Sequence, residues 1–198
     1  MDLGPGEESV ITQYSYGQNK CPSGRENVIR RFKMWQQEEV RADLQKNRTE
    51  MVTICHNLDY NTNIGSVIRS NNAFLGKCVY VVGRRRLDHR SDAGVHHYEC
   101  VYHGDTFQEV YDKLHTDGYT IYAVDNTEGC EPKNYLDVVY PPKSAFVFGN
   151  EGDGLPEEAI KLADDMIYIK QYGSVRSMNV ACAASVIMAE YSRRYRLG

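Results

Sequence analysis

The chain has 198 residues, of which 41% are hydrophobic and 25% are charged, and its formal net charge is −4 at pH 7. This length suits one domain with a real core, and the composition excludes an intrinsically disordered chain. The acidic balance excludes a protein that is basic overall, so any nucleic-acid site must be a local patch. No apolar run approaches the roughly 20 residues that cross a bilayer, and the start lacks the plan of a secretory signal. We therefore expect an intracellular, cytoplasmic protein, with the nucleus or an organelle left open.

The N-terminal part of the chain predicts two short segments ahead of the main domain. Residues 1–22 are rich in Gly, Ser, Gln and Asn with little periodicity, which predicts a mobile arm. Ser23-Gly24-Arg25-Glu26 matches the S-x-x-E capping box, and apolar residues at near-helical spacing follow it. We therefore predict a helix from about residue 24 to 46, within an N-terminal segment 23–48, and a main domain over 49–198.

From residue 51 onward, short apolar runs alternate with amphipathic helical patterns. The runs are continuous and rich in β-branched or aromatic residues, which is typical of strands buried on both faces. They cover residues 51–55, 78–82, 119–124, 145–148 and 166–169. Helical patterns cover residues 64–75 and 107–114, a short stretch that has Pro156 in its first turn, and residues 180–191. This alternation predicts an α/β fold with a mainly parallel sheet flanked by helices.

Three loops that follow predicted strands carry unusual sequences, at the strand ends where open α/β sheets bind ligands. The first reads N-x-G-x-x-x-R from Asn63 to Arg69, the second reads F-G-N-E-G-x-G-L over 148–155, and the third reads S-x-N-V over 177–180. A P-loop would need Lys-Ser/Thr after its last glycine, and a dinucleotide fingerprint would read G-x-G-x-x-G. The second loop is neither, which argues against a Rossmann-type dehydrogenase.

In this order, the three motifs resemble the signature motifs of the SpoU/TrmH branch of the SPOUT methyltransferases, over about residues 51–196. The resemblance implies a SPOUT fold, in which a C-terminal trefoil knot completes the sheet; knots are rare, and periodicity cannot reveal them. It implies an enzyme that transfers a methyl group from S-adenosylmethionine to an RNA ribose 2′-hydroxyl and leaves S-adenosylhomocysteine. It also implies a homodimer whose active site is completed across the interface.

The catalytic set that the resemblance implies is Arg69, Asn63, Glu151, Ser177 and Asn179. Arg69 is the family's proposed proton acceptor, but a guanidinium is effectively never deprotonated in proteins, so Arg69 could instead clamp the phosphate beside the target ribose. Both roles stay open. Structural alternatives also stay open: Glu151 or Ser177 could cap a helix, and Asn63 could be an N-cap or a turn former.

The resemblance also implies that the cofactor is gripped by several loops, largely through backbone groups. The residues implied are Asp125, Asn126, Gly149, Asn150, Gly152, Ile169, Gln171, Gly173 and Met178. The glycines suit this role because a ligand can approach the backbone closely where no Cβ intervenes. No spacing of His, Cys or acidic residues predicts a metal site, and the six scattered cysteines are expected to be reduced thiols.

The expected RNA partner has no global basic signal, so the contact is assigned to a local cluster after a strand. We expect Arg84, Arg85, Arg86 and Arg90 to bind phosphates, with salt-sensitive affinity. The stretch 171–179 looks closer to the tRNA guanosine-18 branch than to others, which favours tRNA over rRNA. One departure is that the strand before the third motif usually ends Ile-Pro, whereas here Lys170 follows the isoleucine. The alternative is a non-catalytic RNA-binding subunit of the same fold, against which the intact catalytic set argues.

Overall fold

The computed structural model describes residues 11–13, 28–83, 91–126, 131–150 and 152–196 of the chain. Within these ranges the chain forms an eight-stranded sheet and five α-helices. The strands are β1 (Thr12–Gln13), β2 (Val52–His56), β3 (Cys78–Val82), β4 (Val101–Gly104), β5 (Thr120–Val124), β6 (Lys133–Asn134), β7 (Ser144–Phe148) and β8 (Asp165–Tyr168). The helices are α1 (Gln37–Asn47), α2 (Asn61–Phe74), α3 (Phe107–Thr116), α4 (Glu157–Leu162) and α5 (Val180–Arg196).

The strand order across the sheet is β1-β4-β3-β2-β7-β5-β8-β6. β1 runs antiparallel to β4, and the remaining described pairings are parallel. At the carboxyl ends of the central strands, Phe148 of β7 pairs with Cys55 of β2 on one side and with Val124 of β5 on the other. Val124 in turn pairs with Ile167 of β8. The loops that leave β2, β5, β7 and β8 therefore start side by side at the carboxyl edge of the sheet.

Helices cover both faces of the sheet, as expected for strands that are apolar throughout. α2 and α5 pack on one face over a core that includes Phe146 and Ile187. α3 and α4 pack on the opposite face over a core that includes Leu114 and Val147. Successive residues of β7 thus serve opposite cores, as strand geometry requires. The predicted α/β architecture with a mainly parallel sheet is confirmed.

The helices after residue 60 follow the predicted apolar patterns closely. α2 buries Ile64, Val67 and Ile68, which are the positions that the periodicity selected. α3 is followed by Gly118, whose φ of +81° is a left-handed conformation that glycine adopts without a Cβ penalty. Pro156 is the N-cap of α4 rather than a first-turn residue, because its extended ψ of 152° places it just outside the helix.

The N-terminal segment differs from the prediction. In place of one helix from about residue 24, a 3₁₀ turn at Arg30–Phe32 precedes α1, which begins only at Gln37. The start is set by Gln36, whose extended backbone N–H donates to the Glu39 carboxylate at 2.7 Å. The capping-box match at 23–26 lies outside the described residues. Within the segment predicted as an arm, Thr12–Gln13 pair with β4 at the edge of the sheet.

A buried ion pair fastens the end of α1 to α2 and β4. The Arg48 guanidinium donates to both carboxylate oxygens of Glu99, at 2.8 and 3.0 Å, and the two side chains are 3% and 0% exposed. The amides of Asn71 and Asn72 donate to the same carboxylate at 2.8 and 2.7 Å. Removing one partner of such a pair typically costs about 3–5 kcal/mol. The C-terminal end of α2 is therefore held firmly, two residues after Arg69.

Candidate active site

Hydrogen bonds join the loops at the carboxyl edge of the sheet. The Asn179 amide, ahead of α5, donates to the Asn63 side-chain oxygen in α2 at 3.1 Å. The Asn150 amide, after β7, donates to the Asn57 carbonyl after β2 at 3.0 Å. These contacts span 116 and 93 residues of sequence, so the fold brings the first motif together with the third and the loop before it together with the second. In the described residues, the first and third motifs are therefore in contact, and the second motif contacts the loop that precedes the first.

The second loop is held by its own hydrogen bonds. The backbones of Asn150 and Gly154 exchange two bonds of 3.0 and 2.9 Å, and the Asn150 side-chain oxygen accepts from the Gly152 and Asp153 amides at 2.7 and 3.2 Å. Gly149 permits this turn because a Cβ there would lie 2.3 Å from the backbone of Gly154. Residue 150 is thus tied to residues 152–154 by hydrogen bonds within the protein.

Asp125, at the end of β5, joins this arrangement through its carboxylate. One oxygen accepts the Leu155 amide at 3.0 Å, and the other accepts the adjacent Asn126 amide at 2.6 Å. Both oxygens of Asp125 thus hold protein backbone, while the Asn126 side chain is exposed. The structure gives Asp125 a loop-holding role beside the cofactor role that the resemblance implies.

The third motif contains the cap of α5, but the cap is not Ser177. The Asn179 side-chain oxygen accepts the Ala181 and Cys182 amides at 2.9 and 3.3 Å, which is the work of an N-cap. α5 begins at Val180, directly after Asn179, so the alternative that made Ser177 the cap is wrong. Asn63 is not an N-cap either, since α2 begins two residues before it, at Asn61. The Asn179 side chain therefore has two functions: its oxygen caps α5, and its amide group holds the Asn63 side chain.

Residues 171–178 of the third loop contrast with the second loop. Within the described part of the chain they make no hydrogen bond to one another or to the rest of the protein. Positions 172–178 are all exposed, with Met178 at 38%, whereas Ile169 just before them is buried in the core between the sheet and α2/α5. A Cβ on Gly173 would meet no atom within 4 Å. The backbone N–H and C=O groups of this loop are therefore available for hydrogen bonds to a ligand.

Arg69 is exposed on α2, and among the described residues no side chain or backbone group pairs with its guanidinium. The structure therefore joins Asn63 to Asn179 but bonds neither Arg69 nor Ser177 to the other candidates. Glu151 and the predicted RNA contacts lie outside the described residues. Those RNA contacts are Arg84, Arg85, Arg86 and Arg90.

Sequence reasoning missed Asn57, whose carbonyl receives the bond from the second loop. Asn57 has a φ of +48°, a left-handed conformation that asparagine tolerates better than most residues. An asparagine directly after a buried strand was the available signal. His56, the last residue of β2, packs edge-to-face on Phe107 at 5.9 Å on the other face of the sheet. Burial lowers the pKa of His56, which favours its uncharged form there.

Within the described ranges, no group of three or more His, Cys, Asp or Glu side chains is arranged to hold a metal ion. The cysteines of these ranges, Cys55, Cys78, Cys100 and Cys182, are free thiols. None of the described helices is long and apolar enough to cross a membrane.

The chain is similar to proteins named as tRNA methyltransferases. The mouse tRNA (guanosine(18)-2′-O)-methyltransferase is 26% identical over 216 aligned positions, which take in 100% of this chain but 14% of the mouse protein. The Thermus thermophilus enzyme of the same name is 27% identical over 154 positions, 76% of this chain and 78% of that protein. The match to the mouse protein takes in the whole of this chain, including the three motifs.

Solved structures share the fold. The TrmH/SpoU tRNA modifying enzyme of A. aeolicus superimposes with a TM-score of 0.73 at 23% identity, over 81% of this chain and 83% of that one. The SpoU methyltransferase AviRb of Streptomyces viridochromogenes, solved with its cofactor AdoMet, gives a TM-score of 0.69 at 24% identity, over 79% and 65% of the two chains. The model of the SpoU rRNA Methylase family matches residues 50–189, which include all three motifs. The chain therefore belongs to the SpoU rRNA methylase family.

Proposed function

We propose that this protein is an S-adenosylmethionine-dependent RNA ribose 2′-O-methyltransferase whose substrate is tRNA and whose target is a guanosine. The observation that carries the proposal is the bond between Asn179 and Asn63, which brings the third motif onto the first at the carboxyl edge of the sheet. The names of the mouse and Thermus relatives support tRNA guanosine as the substrate over rRNA. We propose the cytoplasm as its place of action.

The loops after β5, β7 and β8 have the chemistry to hold the cofactor. Residues 171–178 expose backbone amides and carbonyls that are unbonded in the described structure, and Ile169 and Met178 offer apolar contacts beside them. The Asn126 side chain is exposed next to the second loop, and Gly173 leaves open space. When bound, S-adenosylmethionine supplies an electrophilic methyl group on a positively charged sulfur. These residues would hold it through hydrogen bonds and apolar contact, without a side-chain ion pair.

Arg69 is assigned the phosphate clamp rather than the proton acceptor. A methyl transfer needs the ribose hydroxyl held in line and its proton removed. A guanidinium has five donors and no acceptor, and its planar arrangement matches a phosphate bidentately. Arg69 is exposed and has no acidic partner among the described residues, so its donors are available to a phosphate. Asn63 and Asn179 fix each other's amides, and Ser177 stands two residues ahead of that pair as a donor toward the ribose. Glu151 would position the second loop.

We propose that two copies of the chain complete each site. Arg69 has no partner among the other candidate residues described in its own chain, which supports its use in the site of a second copy. We also propose that the C-terminal part of the chain forms the trefoil knot that the resemblance implies. A further part of the proposal is phosphate binding by Arg84, Arg85, Arg86 and Arg90, for which salt-dependent RNA affinity is the test.

The activity is tested by incubating the protein with methyl-labelled S-adenosylmethionine and unmodified tRNA, and by mapping the label. The wild type should label a ribose 2′-oxygen, and Arg69→Ala should abolish labelling with an unchanged melting temperature. Under the clamp role, Arg69→Lys should raise the KM for tRNA and keep most of kcat; a fall in kcat at unchanged KM would favour proton transfer instead. Tight RNA binding without methyl transfer would favour the non-catalytic alternative.

The two-copy site is tested by mixing inactive variants. Arg69→Ala and Asn179→Ala should each be inactive, but heterodimers formed by refolding them together should regain a fraction of wild-type activity if one site draws on both chains. Activity that stays at zero in verified heterodimers would show that each chain carries its own complete site.

A further inference from the structure

The third loop carries an aromatic side chain that no contact in the protein accounts for. Tyr172 is 87% exposed, and within the described residues its hydroxyl makes no hydrogen bond. The chain buries other tyrosines readily: Tyr122, Tyr140 and Tyr191 are 4%, 3% and 1% exposed. Exposing so much of a ring gives up the favourable burial of its apolar surface. A ring left in the solvent beside the active site is available to a ligand.

The Tyr172 ring does interact with one neighbouring side chain, that of Lys170. The Lys170 ammonium lies 5.4 Å from the centroid of the Tyr172 ring, within the range of a cation–π interaction. This attraction favours one side of the ring and leaves the other open, since most of the side chain is solvent-exposed. Lys170 also occupies the position at which the family motif usually has proline, so this chain has a cation and an aromatic ring as a pair there.

The charge of the loop indicates an anionic ligand. Residues 170–179 include Lys170 and Arg176 and no acidic residue, in a chain whose net charge is −4. Both cations are exposed. Tyrosine and arginine are common at protein–protein interfaces, but lysine is depleted there, and a cation beside an exposed aromatic ring is typical of single-stranded RNA sites. The chemistry of the loop therefore fits RNA better than a second copy of the chain.

The loop also has room for a nucleotide next to the ring. Gly173 follows Tyr172, and a Cβ there would meet no protein atom within 4 Å. Its φ is not in the left-handed range, so neither packing nor backbone conformation requires a glycine at this position. The glycine leaves free space in the loop at the residue directly after Tyr172.

We propose that Lys170 and Tyr172 form a substrate-reading element, in which Tyr172 stacks on an unpaired base and Lys170 contacts a backbone phosphate near the target ribose. This inference rests on the proposed function and goes beyond it, because it assigns part of the tRNA affinity to two residues that precede the S-x-N-V motif. The base that stacks must be one that is free of its own helix, as in a loop of the tRNA. The two side chains have separable effects: stacking is largely insensitive to salt, while a phosphate contact is not.

The test is the dissociation constant of unmodified tRNA, measured over a series of KCl concentrations for matched variants. Tyr172→Ala should weaken binding by about 5- to 150-fold at every salt concentration, the range for loss of one stacked base, and Tyr172→Phe should bind like the wild type. Lys170→Ala should lower the slope of log affinity against log salt by about 0.7–0.9. Lys113→Ala removes a similar exposed charge, paired with Asp117 on α3, and should leave the slope unchanged.

Three results would overturn the proposal. Tyr172→Ala could bind tRNA within twofold of the wild type, it could weaken S-adenosylmethionine binding instead, or it could dissociate a dimer without changing RNA affinity. The last two would assign the ring to the donor pocket or to a second copy. A wild-type protein that neither binds nor methylates tRNA would refute the proposed function, whereas methylation that survives Tyr172→Ala and Lys170→Ala unchanged would refute this inference alone.

Discussion

The second and third loops of the site lie at the same edge of the sheet but are stabilised in opposite ways. Residues 149–150 and 152–155 are held by a backbone bridge, by the Asn150 side chain and by the Asp125 carboxylate. Residues 171–178 make no hydrogen bond within the described protein and are fixed only at their ends, by the core at Ile169 and the cap at Asn179. The described residues of the second loop are held by hydrogen bonds within the protein, whereas residues 171–178 leave their polar groups available to solvent or to a ligand.

The difference suits the chemistry we propose. A methyl transfer depends on accurate alignment, which a loop already held by the protein supplies at no cost on binding. A loop with unbonded backbone groups can instead close around a cofactor and an RNA, since regions with few internal contacts open at low free energy. Rigid positioning and adaptable binding are thus divided between two neighbouring loops.

Among the variants that test the contrast between the two loops, Gly149→Ala should have the largest effect on stability. The new Cβ would lie 2.3 Å from the backbone of Gly154, which cannot move without breaking its two bonds to Asn150. We expect a loss of about 3 kcal/mol in the free energy of unfolding, as for overpacking against backbone. Urea denaturation measures it. A variant as stable as the wild type would show that the second loop is not rigid.

Asn150→Ala should have the next largest effect. It removes the bonds to the Gly152 and Asp153 amides and the bond to the Asn57 carbonyl, worth about 2 kcal/mol together at a partly exposed site. Asn57→Gly is the matched control, because it keeps the accepting carbonyl and suits the φ of +48°. Thermal unfolding should separate the two variants clearly. Equal melting temperatures would contradict the bracing role of Asn150.

Two variants of Asn179 separate its role as the cap of α5 from its contact with Asn63. Asn179→Ala removes the α5 cap and should cost about 1 kcal/mol, whereas serine caps as well and Asn179→Ser should unfold within about 0.5 kcal/mol of the wild type. Serine lacks the amide that holds Asn63, so methyl transfer should fall with both variants. Single-turnover rates beside unfolding curves test this. Full activity of the serine variant would mean that the contact to Asn63 is dispensable.

Gly173→Ala should have the smallest effect on stability. Its Cβ meets nothing within 4 Å, so the free energy of unfolding should stay within about 0.5 kcal/mol of the wild type. The same Cβ would occupy space that we assign to bound ligands, so affinity for S-adenosylmethionine or tRNA should fall. Calorimetric titration with each ligand tests this prediction. Destabilisation comparable to that of Gly149→Ala would erase the contrast between the loops.

Much of the fold could be predicted because its signals are local. The predicted strands at β2, β3, β5, β7 and β8 agree with the structure within one residue. The helical patterns located α2, α3 and α5, but α2 begins three residues before the predicted stretch and α5 continues five residues beyond it. β4 was missed because it contains His103, a buried polar residue whose ring nitrogen lies 2.7 Å from the Gly83 carbonyl. β1 and β6, with two residues each, carry too little pattern to detect. The late start of α1 depends on the Gln36–Glu39 cap, which a stronger capping signal upstream obscured.

The site could be predicted as a convergence of motifs but not in its contacts. The order of the three motifs, each after a strand, was sufficient to expect them at one edge of a parallel sheet. Which side chain bonds which backbone group depends on loop geometry that sequence spacing does not contain. Asn179 capping α5 in place of Ser177, and Asn57 offering its carbonyl from a left-handed conformation, are of this kind.

The most direct test of the account is methyl transfer to a tRNA that lacks one hydroxyl. After the methylated nucleotide has been mapped on an unmodified transcript, a transcript with 2′-deoxyribose at that nucleotide alone is offered with labelled S-adenosylmethionine. The account predicts that labelling disappears while tRNA binding is retained. Labelling that persists on the deoxy substrate would mean that the methyl group goes to a base, and the chemistry assigned to Arg69, Asn63 and Asn179 would be wrong.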